Sequence, residues 1–316
     1  MESPFTGGAT TLVVRESEME FRKEKFKYVA VCYQCVETKE YFSTPELEDF
    51  ALQQVYNQYR CKYHIPYAHE IAGIRKHYGL SCAKMSEILG FGEHQLKNYE
   101  DGDMPSATNG KILANIMTHR HFLDYMEMAK NQLSDSDYKK LLHKIQSAGE
   151  YKAATPNNQI IFGNINRGEY NGFATADGKS LQNIALYILQ KKGNLNIVEL
   201  NRILFALDIL KYSLTAIAAT GLSYQKYSFG IGVKDFAKVF SLIDGTTIDI
   251  KNKETIITQC SDINTIQLPD DLATLTDEAI KRQDIATSKE MNDCPLGELI
   301  SFQKAVEVYY KTMYDN

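Results

Sequence analysis

From Met1 to Tyr41 apolar and polar residues alternate in the β-branched runs TTLVVRE and MEFRKEKFKYVAVCY, which predicts two or three antiparallel strands. The period then lengthens. Thr44-Pro45 offers an N-cap and a first-turn proline, and Leu47, Phe50, Leu52, Val55 and Tyr59 follow at helical spacing. Between Pro66 and Gly102 the spacing continues through Ile71, Ile74, Tyr78, Leu80, Ala83, Ile88, Leu89, Leu96 and Tyr99, punctuated by Gly79, Gly90 and Gly102. Three short helices with tight turns result, the pattern of a helix-turn-helix. The turn Gly90-Phe91-Gly92 is too short for the second and third helices to separate, so Phe91, Leu96 and Tyr99 must pack back onto Ile74, Met85 and Leu89.

After Gly102, Pro105-Ser106 opens a helix through Ile112, Leu113 and Ile116, extended by Phe122 to Met128, whose apolar stripe closes a core or forms a dimer surface. Leu133 to Gln146 reads as one more helix. The Asn- and Gly-rich stretch NNQIIFGNINRGEYNGFATADGK reads as loops around a short strand, with a domain boundary near Ala176 to Gly178. Such a connector leaves each half of the chain to bury its own apolar helices and to fold alone. Ser180 then caps a helix, and the next one is apolar around most of its circumference at Leu200, Ile203, Leu204, Leu207 and Leu210, which marks it as the centre of its domain. A β-hairpin turning at Lys251 to Lys253 and helices over Thr276–Ile285 and Leu296–Tyr314 complete the chain. The fold class expected is α+β, mainly α. The domains are a β-platform with its connecting helix (1–62), a helix-turn-helix domain (63–130), a connector (131–178) and a helical domain with a β-hairpin (179–316).

Composition narrows the function. With 316 residues and 44% hydrophobic content the chain supports several cores, and a net charge of −5 gives no overall pull toward nucleic acid or anionic membrane. No run approaches the roughly 18 apolar residues of a membrane helix and no signal peptide is evident, so a cytoplasmic protein is expected. Six cysteines spread from Cys32 to Cys294 read as mostly free thiols, not a disulfide framework. No P-loop, G-x-G-x-x-G, H-E-x-x-H or G-x-S-x-G occurs, and the chain reads as a non-enzyme without cofactor. Asp208, on an otherwise apolar helix, is either a paired structural carboxylate or a catalytic one.

On a helix from Glu93 to Tyr99, His94, Gln95 and Asn98 share a face away from Leu96 and Tyr99. Glutamine and asparagine amides pair with adenine, while His94 and the nearby Lys97 and Lys84 reach guanine acceptors or phosphates; a solvated helix face is the alternative. Acidic residues balance the cations from Pro66 to Lys130, so a dimer, or a local cluster of Arg75, Lys84, Lys97 and five histidines, is needed for affinity. In the N-terminal segment, Ser3, Thr6, Cys35 and Thr38 stand where two zinc-ribbon knuckles would place four ligands. Only Cys35 is a thiol there, and the C-x-x-C of Cys32 and Cys35 has no second pair, so no metal is expected.

The set formed by the ribbon-like N-terminus, VYNQYR, IPYAHEIAGIRKHYGLS, MSEILGFG and NYEDG resembles the MqsA-type antitoxins, zinc-ribbon and helix-turn-helix repressors, over roughly the first 130 residues. That resemblance implies DNA readers at His94 and Asn98. Residues Leu181 to Tyr310, with ELNRILFALDIL and GLSYQKYSFGIGV, resemble the Panacea or SocA-like antitoxin domain, with Asn201-Arg202, Phe205 and Asp208 fitting its helix signature and Gly230-Ile231-Gly232-Val233 replacing its Gly-Pro-Val. This second resemblance implies binding of a cognate protein toxin. The aromatic loop Tyr224, Tyr227 and Phe229 is the candidate surface, although a core role for Tyr227 and Phe229 fits the sequence equally. The expectation is a homodimeric, operator-binding antitoxin and repressor; the rivals are an interaction module whose helix-turn-helix serves dimerisation, and an enzyme with an unrecognised site.

Overall fold

The computed structural model describes residues 1–151, 166–241, 243–251, 254–259 and 265–314; the short strand expected near Ile160 and the hairpin turn at Asn252-Lys253 lie outside them. The architecture is α+β and mainly α. No helix among the described residues is long and apolar enough to cross a membrane. Cys32, Cys35, Cys61, Cys82 and Cys294 are free thiols.

The chain divides into two compact units, one formed by Met1–Gln58 together with Thr155–Asn316 and the other by Tyr59–Ala154. This differs from the four consecutive domains expected, at both ends of the helix-turn-helix. In the discontinuous unit, β1 (Thr10–Phe21) and β2 (Glu24–Cys35) form a long antiparallel hairpin, extended by β3 (Tyr41–Phe42). Arg22 and Lys23 close the hairpin with positive φ, as a two-residue primed turn requires. Helix α1 (Pro45–Tyr63) covers it. Its apolar spacing was legible, but the contacts that join it to distant segments are polar. The fully buried Gln54 amide both accepts from Val29 N and donates to Val29 O at 3.0 Å, taking the place of a neighbouring strand. Asn57 donates to Ala216 O at 2.8 Å, and Phe50 packs against Tyr212 and Tyr310. The platform therefore shares a core with the C-terminal half, and the two halves do not bury their apolar surfaces separately.

The rest of that unit is built around α9 (Ile197–Thr215), preceded by α8 (Gly178–Lys192) and buried almost throughout, as its composition predicts. β4 (Leu195–Asn196), β7 (Thr246–Lys251) and β8 (Glu254–Gln259) make one antiparallel sheet in the order β4-β8-β7. β5 (Tyr224–Tyr227), β6 (Gly230–Val233) and β9 (Leu299–Ile300) make another, so the expected aromatic loop is itself a hairpin turning at Ser228-Phe229. Between them lies the short α10 (Phe236–Phe240). α11 spans Asp270–Lys281, several residues earlier than expected, because Pro269 and the first-turn Asp270 and Asp271 start it. α12 (Lys289–Asn292) leads to α13 (Phe302–Tyr314), whose first turn is held by Ser301 Oγ accepting from Lys304 N.

In the unit Tyr59–Ala154, α2 (Ala68–His77), α3 (Cys82–Leu89), α4 (Gln95–Glu100), α5 (Ala107–Asn115) and α6 (His119–Met128) surround one apolar core. α7 (Asp135–Ala148) adds Tyr138 and Ile145 to that core, so a helix assigned to the connector belongs to the helix-turn-helix unit.

Candidate functional site

The helix-turn-helix is assembled from short-range signals. Ser81 caps α3 by accepting from Lys84 N, and Gly90 ends it in the left-handed region at φ 70°, where a side chain would be strained. Phe91 N then bonds back to Ser86 O at 2.8 Å, while the Ser86 hydroxyl accepts from Leu96 N, so the turn is tied to the helix before it. Leu96 and Tyr99 are buried, Phe91 meets the Tyr99 ring edge-on at 5.9 Å, and Asn109 of α5 donates to the Tyr99 hydroxyl. Ala83, expected inward, is exposed.

With one side of α4 fixed, the other is open. His94, at the N-cap position, Lys97 and Asn98 are exposed and Gln95 is half-buried. The structure therefore brings the four expected α4 readers to one short helix. The cation cluster fares differently. Arg75 forms a bidentate pair with Glu100, Nε to Oε1 at 2.5 Å and Nη2 to Oε2 at 2.7 Å, and donates to Leu80 O; the two side chains are 16% and 11% exposed. Arg75 is thus a clamp on the end of α4, not a phosphate ligand. Lys84 pairs with Glu87 at 2.6 Å, a surface pair too weak to withhold it from a phosphate. His77 bonds Gly149 O, His119 bonds the Tyr78 hydroxyl and His69 stacks on Tyr67, so three of the five histidines serve the fold. Burial pushes the Tyr78 phenol up to about 12. Around α4 the exposed carboxylates Glu93, Asp101 and Asp103 have no ion pair among the described residues.

The second expected surface is only partly present. Tyr224 is fully buried and donates to Asp208 Oδ2 at 2.6 Å, which removes it from any partner-binding face. Tyr227 and Phe229 are half-buried and stacked at 5.0 Å, with Phe236 of α10 edge-on to both. This triad, including Phe236, which sequence reading missed, is one aromatic surface of the discontinuous unit; Phe5, Tyr33 and Phe42 form another. Compared with family models, curated proteins and solved structures, the chain has no match.

At the N-terminal knuckles the four expected positions do meet. Cys35 is fully buried, Thr38 N donates to its Sγ at 3.5 Å, and Thr6 Oγ1 lies 3.6 Å away. Hydrogen bonding from the Ser3 hydroxyl, then from the Thr38 amide and hydroxyl, brings the Cys35 thiol down to about 6. One sulfur and three hydroxyls do not fit the zinc that a ribbon implies, which is held by deprotonated soft ligands. Chelator treatment is expected to leave the melting temperature of the protein unchanged. The triple variant Ser3→Cys/Thr6→Cys/Thr38→Cys is expected to take up one zinc and to become chelator-sensitive; stoichiometric zinc in the unaltered protein by elemental analysis would contradict this.

Proposed function

We propose that Tyr59–Ala154 reads duplex DNA through α4, that the discontinuous unit binds a partner protein, and that the chain is a DNA-binding repressor and antitoxin of a toxin–antitoxin pair. The observation that carries this reading is α4 itself: a single turn and a half whose inner side is locked by Leu96, Tyr99 and the Arg75–Glu100 clamp, with His94, Gln95 and Asn98 left outward. A helix held rigidly with amide and imidazole side chains free is what major-groove readout needs. Two copies on two half-sites raise the affinity beyond what the acid-rimmed α4 of one copy supplies. Toxin binding is placed on the Tyr227, Phe229 and Phe236 surface, since stacked, half-exposed aromatics are favoured interface anchors.

His94→Ala/Asn98→Ala is expected to abolish discrimination between the protein's own promoter region and a scrambled duplex, each lost base contact being worth on the order of 1 to 3 kcal/mol. Gel-shift titration of wild type and variant on both duplexes decides it. Failure of the wild type to shift the promoter at low salt sinks the reading. A second reading, a protein-docking module, is favoured by one observation: the unpaired Glu93, Asp101 and Asp103 give the face around α4 an acidic rim that repels phosphate.

A further inference from the structure

The charge missing from α4 stands elsewhere in the same unit. α7 turns Tyr138 and Ile145 into the core, with Leu141, Leu142 and Ala148 beside them. Its opposite side carries Lys139, Lys140, His143 and Lys144, all exposed. Their helical spacing puts them on one face. The acidic residues of α7, Asp135 and Asp137, are confined to its first turn, and Glu150 follows its C-cap. Lys139 and Lys140 have no ion pair among the described residues, and neither does the exposed Lys76 at the end of α2.

Two contacts fix where the C-terminal end of this stripe lies, and Lys139 and Lys140 stand about one turn before it. Lys144 Nζ donates to Gly79 O at 2.5 Å, and His77 bonds Gly149 O at 3.1 Å, so the last turns of α7 run beside the end of α2 and the loop into α3. That loop, Gly79-Leu80-Ser81, ends at the cap of α3. In a helix-turn-helix the helix before the reader crosses the sugar-phosphate backbone, and its first turn presents backbone N–H groups to phosphate. The cations of α7 therefore flank the side of the unit on which the backbone runs.

We propose that Lys139 and Lys140 of α7, with Lys76 and Lys144 beside them, are the sequence-independent contact to the DNA phosphate backbone. This rests on the reading of α4 given above, and it locates the affinity there that α4 cannot supply. Each phosphate neutralised by a lysine releases counterions and steepens the fall of binding with salt by about one unit of log–log slope.

The test is a salt titration of full-length protein on its promoter duplex and on a scrambled duplex of equal length, for wild type and Lys139→Gln/Lys140→Gln. The variant is expected to bind both duplexes more weakly by the same factor, to keep their affinity ratio, and to show a slope shallower by about 2. Lys139→Arg/Lys140→Arg, which keeps the charge, is expected to restore the wild-type slope, and an unchanged melting temperature in both variants excludes a folding defect. An unchanged slope with the promoter still bound overturns the stripe and leaves the α4 reading standing. A fall in the promoter-to-scrambled ratio assigns the lysines to base readout and likewise overturns it. A wild type that binds neither duplex at low salt overturns both proposals.

Discussion

Asp208→Ala is expected to destabilise the discontinuous unit by about 3 to 5 kcal/mol, the range for removing one member of a buried, charge-bearing network. Asp208 is fully buried and accepts three hydrogen bonds, from Thr220 N at 2.7 Å, Thr220 Oγ1 at 2.5 Å and the Tyr224 hydroxyl at 2.6 Å. Truncation would leave all three donors in the core with no acceptor. This satisfied geometry decides between the two sequence-level alternatives for Asp208 in favour of a structural carboxylate. Burial raises its pKa from 3.8 to about 6, against the lowering effect of its hydrogen bonds. The native state therefore holds this proton more tightly than the unfolded chain does. Between about pH 6 and pH 4 the contribution of Asp208 to stability grows as pH falls, and it is smallest above 6. Urea titrations at several pH values check both points: a loss below about 1 kcal/mol for Asp208→Ala, or a pH dependence between 4 and 6 that survives the substitution, would refute them.

The second large effect belongs to the clamp on α4. Arg75→Ala leaves the largely covered Glu100 without its partner and is expected to cost about 2 to 3 kcal/mol, with loss of promoter binding in parallel. Arg75→Met/Glu100→Leu replaces both charges by apolar groups of similar size, which is often nearly neutral, and is expected to recover stability and DNA binding together. Recovery of the fold without binding would show that Arg75 touches phosphate directly and that its role as a clamp is wrong.

The readable parts of this fold are those built from neighbours. Ser81, Gly90, Leu96 and Tyr99 lie within one short stretch, and each announces its place through capping, a positive φ or helical spacing. α9 was equally plain, because a surface helix does not carry apolar residues around most of its circumference. What escaped was long-range and polar. Nothing about Gln54 or Asn57 in the sequence says that their amides serve a strand edge and a carbonyl 159 positions away. The pairing of Arg75 with Glu100 was hidden for the same reason, since charge counting treats every cation as free. Phe236, seven residues beyond Phe229 and nine beyond Tyr227, could have been found had the aromatic loop been read as two strands that bring the following residues back beside it. Likewise Pro269-Asp270-Asp271 was a helix-start signal passed over.

The division of the chain also sets an order in time. The β1–β2 hairpin leaves the ribosome well before α13, whose Gln303 donates to Lys27 O. At 5 to 20 residues per second that interval is roughly 15 to 50 s, during which the hairpin waits with its apolar face unfilled while Tyr59–Ala154 has all its core residues to hand. A nascent chain thus holds a finished helix-turn-helix while the discontinuous unit is still unfinished, and proteases that attack unfolded segments will meet that unit before Tyr59–Ala154.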